Sequence, residues 1–147
     1  MIQINHSSIV NAAGGVILHG VNCMGVMGAG VALDIKQKWP ESFEQYKKVC
    51  DKAGSFDDLM GTIDVFRKDD LIIVSCFTQK RYGKTAFASY DAIESCLNHV
   101  VSRVLLTGHE VHFPAIGCGH GKLNWRVVEQ IIENCIPDTY PKTLWIK

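Results

Sequence analysis

Apolar positions along the chain follow two rhythms that alternate. Short runs rich in branched and apolar residues fall at Ile2–Asn5, 16–21, 61–67, 71–77, 110–114 and 143–146, each with the length and composition of a strand. Lys68-Asp69-Asp70 has the composition of a turn joining two of them. Between the runs, apolar residues recur three and four apart. Val31, Ile35 and Trp39 predict a helix over 29–39, Pro40 stops it, and a second helix follows over 41–53, closed by Gly54. Ile93, Leu97, Val100, Val101 and Val104 share one face of a helix predicted over 89–106. Trp125–Cys135 reads as another, with Asn124 as its N-cap. The polar stretch 78–88 reads as a loop. Strands alternating with helices predict an α/β fold, a sheet covered on both faces. No repeat, linker or low-complexity stretch divides the chain, so one domain is expected over 1–147.

Composition narrows the function classes. Fifteen Lys+Arg balance fifteen Asp+Glu, which excludes a generally basic nucleic-acid coat or a polybasic membrane binder. No apolar run approaches the roughly 18 residues of a spanning helix, and MIQINHSSIV lacks the pattern of a signal peptide. The six cysteines are scattered without a CxxC pair, which reads as reduced thiols in a cytoplasmic protein. A structural zinc site needs about four clustered ligands, and none is visible. His109 and His112 stand in HEVH, one residue short of the HExxH spacing. No metal or cofactor is expected, and no membrane partner.

Two glycine-rich loops, 22–30 and 116–123, each lie between a strand and a helix. In open α/β sheets ligands bind beyond the carboxyl ends of strands, where helix N-termini offer free N–H groups to anions. Glycine lets backbone amides approach a phosphate closely. Two such loops could grip one diphosphate; the alternative is that Gly25, Gly28 and Gly30 only make a tight turn. Gly25, Gly28 and Gly30 give GxxGxG, not the dinucleotide GxGxxG, and 117–122 reads GxGxGK followed by Leu123, not the P-loop.

The segments HGVNCMGVMGAGVALDIKQKWPESFEQYKKVC and PAIGCGHGKLNW, in this order and separation, resemble the macrodomain family. The resemblance runs over most of the chain. It is greatest to the branch holding ADP-ribose-1''-phosphate phosphatases, terminal ADP-ribose glycohydrolases and antitoxins that remove ADP-ribose from DNA. A phage or bacterial chain of this length fits that branch. The resemblance implies a three-layer α/β/α fold with a mixed central sheet and an ADP-ribose cleft at the strands' carboxyl ends. It assigns Asn22 to the distal ribose, Gly28, Ala29, Gly30 and Val31 to the first phosphate and ribose loop, and Ile116, Gly117, Cys118, Gly119 and His120 to the second. Ser8 and Ile9 fall at the adenine end, where many macrodomains carry an aspartate in place of Ser8.

The same resemblance directs attention to His19, His120 and Lys80 as catalytic candidates. His19 closes the second strand where the phosphatases carry a histidine. Histidine titrates near neutral pH and can act as acid or base toward a phosphate monoester; the alternative is a histidine that fixes the loop. His120 lies inside the second loop. The glycohydrolases use a lysine directly after a threonine, whereas Gln79 follows Thr78 here and Lys80 comes one place later; His120-Gly121 replaces their aspartate. Arg81, Tyr82 and Lys84 extend Lys80 into a cationic stretch able to meet phosphate or single-stranded nucleic acid. Cys23 and Cys118 would need a lowered pKa to act as nucleophiles, and they read better as small residues filling tight space. Tyr90 and Asp91 stand where they could face the cleft, Trp125 reads as a packing anchor, and Trp145 could flank adenine. The expected activity is metal-independent hydrolysis of ADP-ribose-1''-phosphate. The alternatives are removal of ADP-ribose from protein or nucleic acid, and binding without turnover. A monomer is expected.

Overall fold

A computed structural model of the chain describes residues 1–83 and 86–147. Its strands are β1 (Ile2–Asn5), β2 (Gly15–Asn22), β3 (Ile63–Lys68), β4 (Leu71–Gln79), β5 (Val111–Phe113) and β6 (Lys142–Trp145). They form one sheet in the order β1-β6-β5-β2-β4-β3. All neighbours run parallel except β3, which pairs antiparallel with β4. The sheet is therefore mixed. The helices are α1 (Gly30–Lys38), α2 (Pro40–Lys52), the single turn α3 (Phe56–Leu59), α4 (Tyr90–Arg103) and α5 (Trp125–Cys135), with a short 3-10 turn at Ile9–Asn11.

The two-residue period of the strands sorts the core into two halves. Val16 and Leu18 of β2, with Val74 and Cys76 of β4, pack against Ile93, Leu97 and Val100 of α4 and Val128 and Ile132 of α5. The alternate residues point the other way. Ile17 and Ile73 meet Ile35 and Trp39, while Val21 and Phe77 meet Met27, Phe43, Tyr46 and Leu59. At roughly 1.5–3 kcal/mol for each buried Val, Leu, Ile or Phe, these two layers supply the main driving force for the fold. The result is the three-layer α/β/α arrangement that both the sequence pattern and the resemblance imply.

Several boundaries differ from the sequence reading. α1 ends at Lys38, and Pro40 is the first residue of α2, a position where its missing N–H is no loss. The α3 turn has no counterpart in the sequence reading, since four residues are too few for a helical period; Ser55 caps it by accepting from Asp58 N at 3.3 Å. The helix predicted to run to 106 stops at Arg103, because Val104 N and Leu105 N both fall on the Val100 carbonyl. Most consequential, β4 runs on through Thr78 and Gln79, which sequence places in a loop. A bulge at the end of β2 pairs Val21 with Phe77 but Asn22 with Gln79, so the strand continues one residue out of step.

Candidate functional site

The loops after β2 and β5 emerge at the same edge of the sheet, beyond the carboxyl ends of parallel strands. The first ends at α1, which begins on Gly30 with φ +61°. A Cβ there would meet nothing within 4 Å, so conformation rather than space calls for glycine. Three helices starting after parallel strands can be compared. Ser89 caps α4 by accepting from Ala92 N at 3.1 Å, and Asn124 caps α5 by accepting from Arg126 N at 2.9 Å. The N-cap of α1 is Ala29, whose side chain cannot cap, and no acidic residue lies in its first turn. The first amides of α1 are thus left for a ligand.

The second loop is held by Leu123 N donating to Gly117 O at 2.9 Å and Lys122 N donating to Gly119 O at 3.1 Å. Ala88 N donates to Gly121 O at 3.0 Å and ties the loop to the segment before α4. A Cβ on Gly121 would stand 2.5 Å from Gly117 O and 2.8 Å from the Ala88 Cβ, so no side chain fits. Among the described residues, the amides of Gly119 and His120 have no hydrogen-bond acceptor.

Two adjoining cavities of about 430 and 450 Å³ lie between these loops. Gly20, Ala29, Ala32, Gln79 and His120 border both. The first is lined further by Asn22, Met27, Gly28 and Tyr82. The second is lined by His19, Gly30, Val31, Thr78, Ile116, Gly117, Gly119 and Trp145, among others. Among the described residues, no Asp or Glu lines either cavity. With the free amides, this makes the cleft receptive to an anion.

The candidate catalytic residues are placed very differently. His120 is exposed, on the wall shared by both cavities. His19 borders the second cavity, yet only 1% of its surface is exposed. Its Nε2 lies 3.3 Å from the hydroxyl of Ser75, its register partner on β4, and Nδ1 has no partner among the described residues. Burial pushes the imidazole down to about 4, so the ring is neutral at neutral pH. Lys80 lines neither cavity. Its Nζ lies 2.8 Å from Asp57 Oδ1, and its carbonyl accepts from Cys23 N at 3.1 Å. The bulge opposite Asn22 brings Gln79 into the cleft instead, its Nε2 donating to Arg81 O at 2.8 Å.

Asn22, Gly28, Ala29, Gly30, Val31, Ile116, Gly117 and Gly119 all border the cleft. Three other sequence candidates lie outside the cavity walls. Ser8 is the N-cap of the 3-10 turn, Ile9 is buried against Ile17 and Ile35, and the Cys118 thiol sits 3.4 Å from Ile116 O. Burial raises the Cys118 thiol and raises Cys23 to about 11, which leaves both protonated at neutral pH. Tyr90 does not reach the cleft; its hydroxyl accepts from Asn124 N at 3.0 Å and joins α4 to the cap of α5. Trp125 packs beside Phe113. Trp145 borders the second cavity and donates from Nε1 to His112 Nδ1 at 3.0 Å. His109 Nδ1 accepts from Leu106 N, so each histidine of HEVH has a structural partner. Arg81 lies over the Phe56 ring at 5.0 Å, and Lys84 falls outside the described residues.

Sequence reasoning missed Gln79 and Tyr46. The Tyr46 hydroxyl lies 2.9 Å from Asn22 Oδ1 and 2.8 Å from Asn22 O, across 24 positions of chain. No local pattern signals such a contact.

Comparison with known proteins agrees with this fold. The model of the Macro domain family matches residues 18–132. A DNA ADP-ribosyl glycohydrolase of Mycobacterium tuberculosis is 30% identical over 132 residues, 88% of this chain and 37% of that protein. This chain therefore spans well under half the length of that relative. An uncharacterized 17.5 kDa protein of Enterobacteria phage T4 is 31% identical, over 92% of this chain and 85% of that one. The ADP-ribose 1''-phosphate phosphatase of Saccharomyces cerevisiae is 30% identical over 57% of this chain and 46% of its own. Among solved structures, the macrodomain of Mycobacterium tuberculosis DarG covers all of this chain and 98% of its own, with a TM-score of 0.83 and 27% identity. With its mixed sheet, paired glycine-rich loops and matching family model, this chain belongs to the macrodomain family.

Proposed function

We propose that the protein binds ADP-ribose across the two adjoining cavities and hydrolyses ADP-ribose-1''-phosphate to ADP-ribose and phosphate. The observation that carries this reading is the cleft itself. It has no Asp or Glu among its described walls, it lies between the uncapped start of α1 and the free amides of the second loop, and the exposed His120 stands where its two halves meet. In this reading the amides of both loops hold the diphosphate, and the distal ribose reaches toward Asn22. Water attacks the terminal phosphorus and the bond from phosphorus to the anomeric oxygen breaks. His120 gives its proton to that leaving oxygen, and backbone amides stabilise the charge on the equatorial phosphate oxygens. The buried, neutral His19 borders the site as an orienting group held by Ser75. The yeast relative supports the phosphatase assignment.

The match to DNA ADP-ribosyl glycohydrolases favours a second reading, removal of ADP-ribose from a nucleic acid. There water would add at the anomeric carbon. Lys80 would have to leave Asp57 to take part.

The deciding experiment measures phosphate release from ADP-ribose-1''-phosphate with a chelator present, beside ADP-ribose release from modified DNA. Phosphate release that His120→Ala abolishes while ADP-ribose still binds supports the phosphatase. Release only from DNA replaces that reading with the second. ADP-ribose binding without either activity reduces the function to recognition.

A further inference from the structure

Asn22 is one of the few polar side chains bordering the first cavity, and its surroundings decide what it can offer a ligand. Tyr46 lies beneath it, fully buried, with its ring stacked on Phe77 at 5.8 Å and beside Phe43 at 6.2 Å. Its hydroxyl donates toward Asn22, 2.8 Å from the carbonyl O and 2.9 Å from Oδ1. Asn22 Oδ1 also accepts from Met24 N at 2.9 Å. A carboxamide oxygen has two lone pairs, and both face donors here. On the other side of the group, Nδ2 donates one proton to Val26 O at 2.9 Å. A flipped carboxamide would set its NH2 against the Met24 amide and its oxygen against the Val26 carbonyl, and would take from the Tyr46 hydroxyl its acceptor at Oδ1.

We infer that Tyr46 is a positioning residue: it holds the Asn22 carboxamide oxygen inward, so that Asn22 offers the first cavity one N–H donor and no acceptor. The group that seats beside Asn22 must then present an acceptor oxygen, whether hydroxyl, ether or phosphate. An ammonium group is excluded there. The orientation of Asn22 stands on the hydrogen bonds alone; only the identity of the ligand rests on the reading proposed above.

Tyr46→Phe tests this, since it keeps the stacked ring and removes only the hydroxyl. In the ligand-free protein, side-chain amide NMR should find one Asn22 Nδ2 proton slow to exchange in the wild type and exchanging at least about tenfold faster in Tyr46→Phe. Calorimetry should find ADP-ribose bound about three- to tenfold more weakly by the variant, the size of one hydrogen bond. ADP, which lacks the distal ribose, should bind unchanged. Equal losses for ADP-ribose and ADP would mean general loosening and would overturn the inference, as would an Asn22 amide unaffected by the variant. Asn22→Asp, which exchanges the donor for an acceptor, provides a second arm should Tyr46→Phe not fold. It should weaken ADP-ribose by at least about tenfold, and ADP-ribose binding as tight as wild type would overturn the inference. If wild type fails to bind ADP-ribose but shows the protected Asn22 proton, the proposed function falls and the positioning role of Tyr46 stands.

Discussion

Acid should destabilise this protein through His19, by an amount that can be worked from its burial. The imidazole is pushed from its ordinary 6.5 to about 4 because burial shields the ring from solvent and penalises its charged form. Above pH 6.5 the ring is neutral in folded and unfolded chains alike, and its ionisation costs nothing. Below pH 6.5 the unfolded chain takes up a proton that the folded state refuses until about pH 4, so stability falls as pH drops through that window. At 1.36 kcal/mol per pKa unit the full loss is about 3 kcal/mol, of which about 2 kcal/mol is reached by pH 5. Burial also lowers His112, which adds to the loss, and raises the Asp64 carboxyl, which opposes it as pH falls. The contribution of His19 is therefore isolated by difference. Urea unfolding of wild type and His19→Gln at pH 7.5 and pH 5 should show the variant losing about 2 kcal/mol less between the two. NMR should find the His19 ring not titrating over the same range. A ring that titrates near 6.5, or a variant with the wild-type pH slope, would refute the reasoning. The functional corollary is that His19, neutral over this range, does not serve as the proton donor of the proposed reaction.

Three further outcomes follow from the geometry. Gly121→Ala puts a methyl 2.5 Å from Gly117 O, which forces the second loop open; calorimetry should find ADP-ribose at least about tenfold weaker, with a stability loss of about 1–3 kcal/mol by urea unfolding. Lys80→Ala breaks a pair whose side chains are 55% and 81% exposed, so stability should change by less than about 1 kcal/mol and phosphate release by less than about twofold. Asn124→Ala removes the cap of α5, at a cost of about 1 kcal/mol, and a melting curve should shift down by about 2–4 °C.

The layered fold is legible in the sequence because it rests on local periods. Ile93, Leu97 and Val100 mark a helix face by their spacing alone, and Asn124 announces the start of α5 by its chemistry. Both glycine-rich loops are legible for the same reason. The chain must turn tightly between strand and helix, and few residues allow it. Eleven residues of the cleft walls, seven between Asn22 and Val31 and four between Ile116 and His120, follow from those loops. Ser8, Ile9 and Cys118 rest on resemblance, and they lie outside the cavity walls.

Tertiary structure alone decided the rest. Whether Gln79 or Lys80 enters the cleft depends on the bulge that pairs Asn22 with Gln79, and strand pairing across more than fifty residues leaves no trace in either segment. His19 reads as an acid–base residue in sequence. Its ring is neutral because it faces the packed layer beneath α1 and α2, beside Ile17 and Val21, and not bulk water. Tyr46 reads as one more aromatic on a helix face until its hydroxyl meets Asn22. Sequence by itself determines period, turns and caps, since these are interactions among near neighbours. Desolvation, register and side-chain orientation are set by atoms brought together from distant parts of the chain, and only the folded structure assembles them.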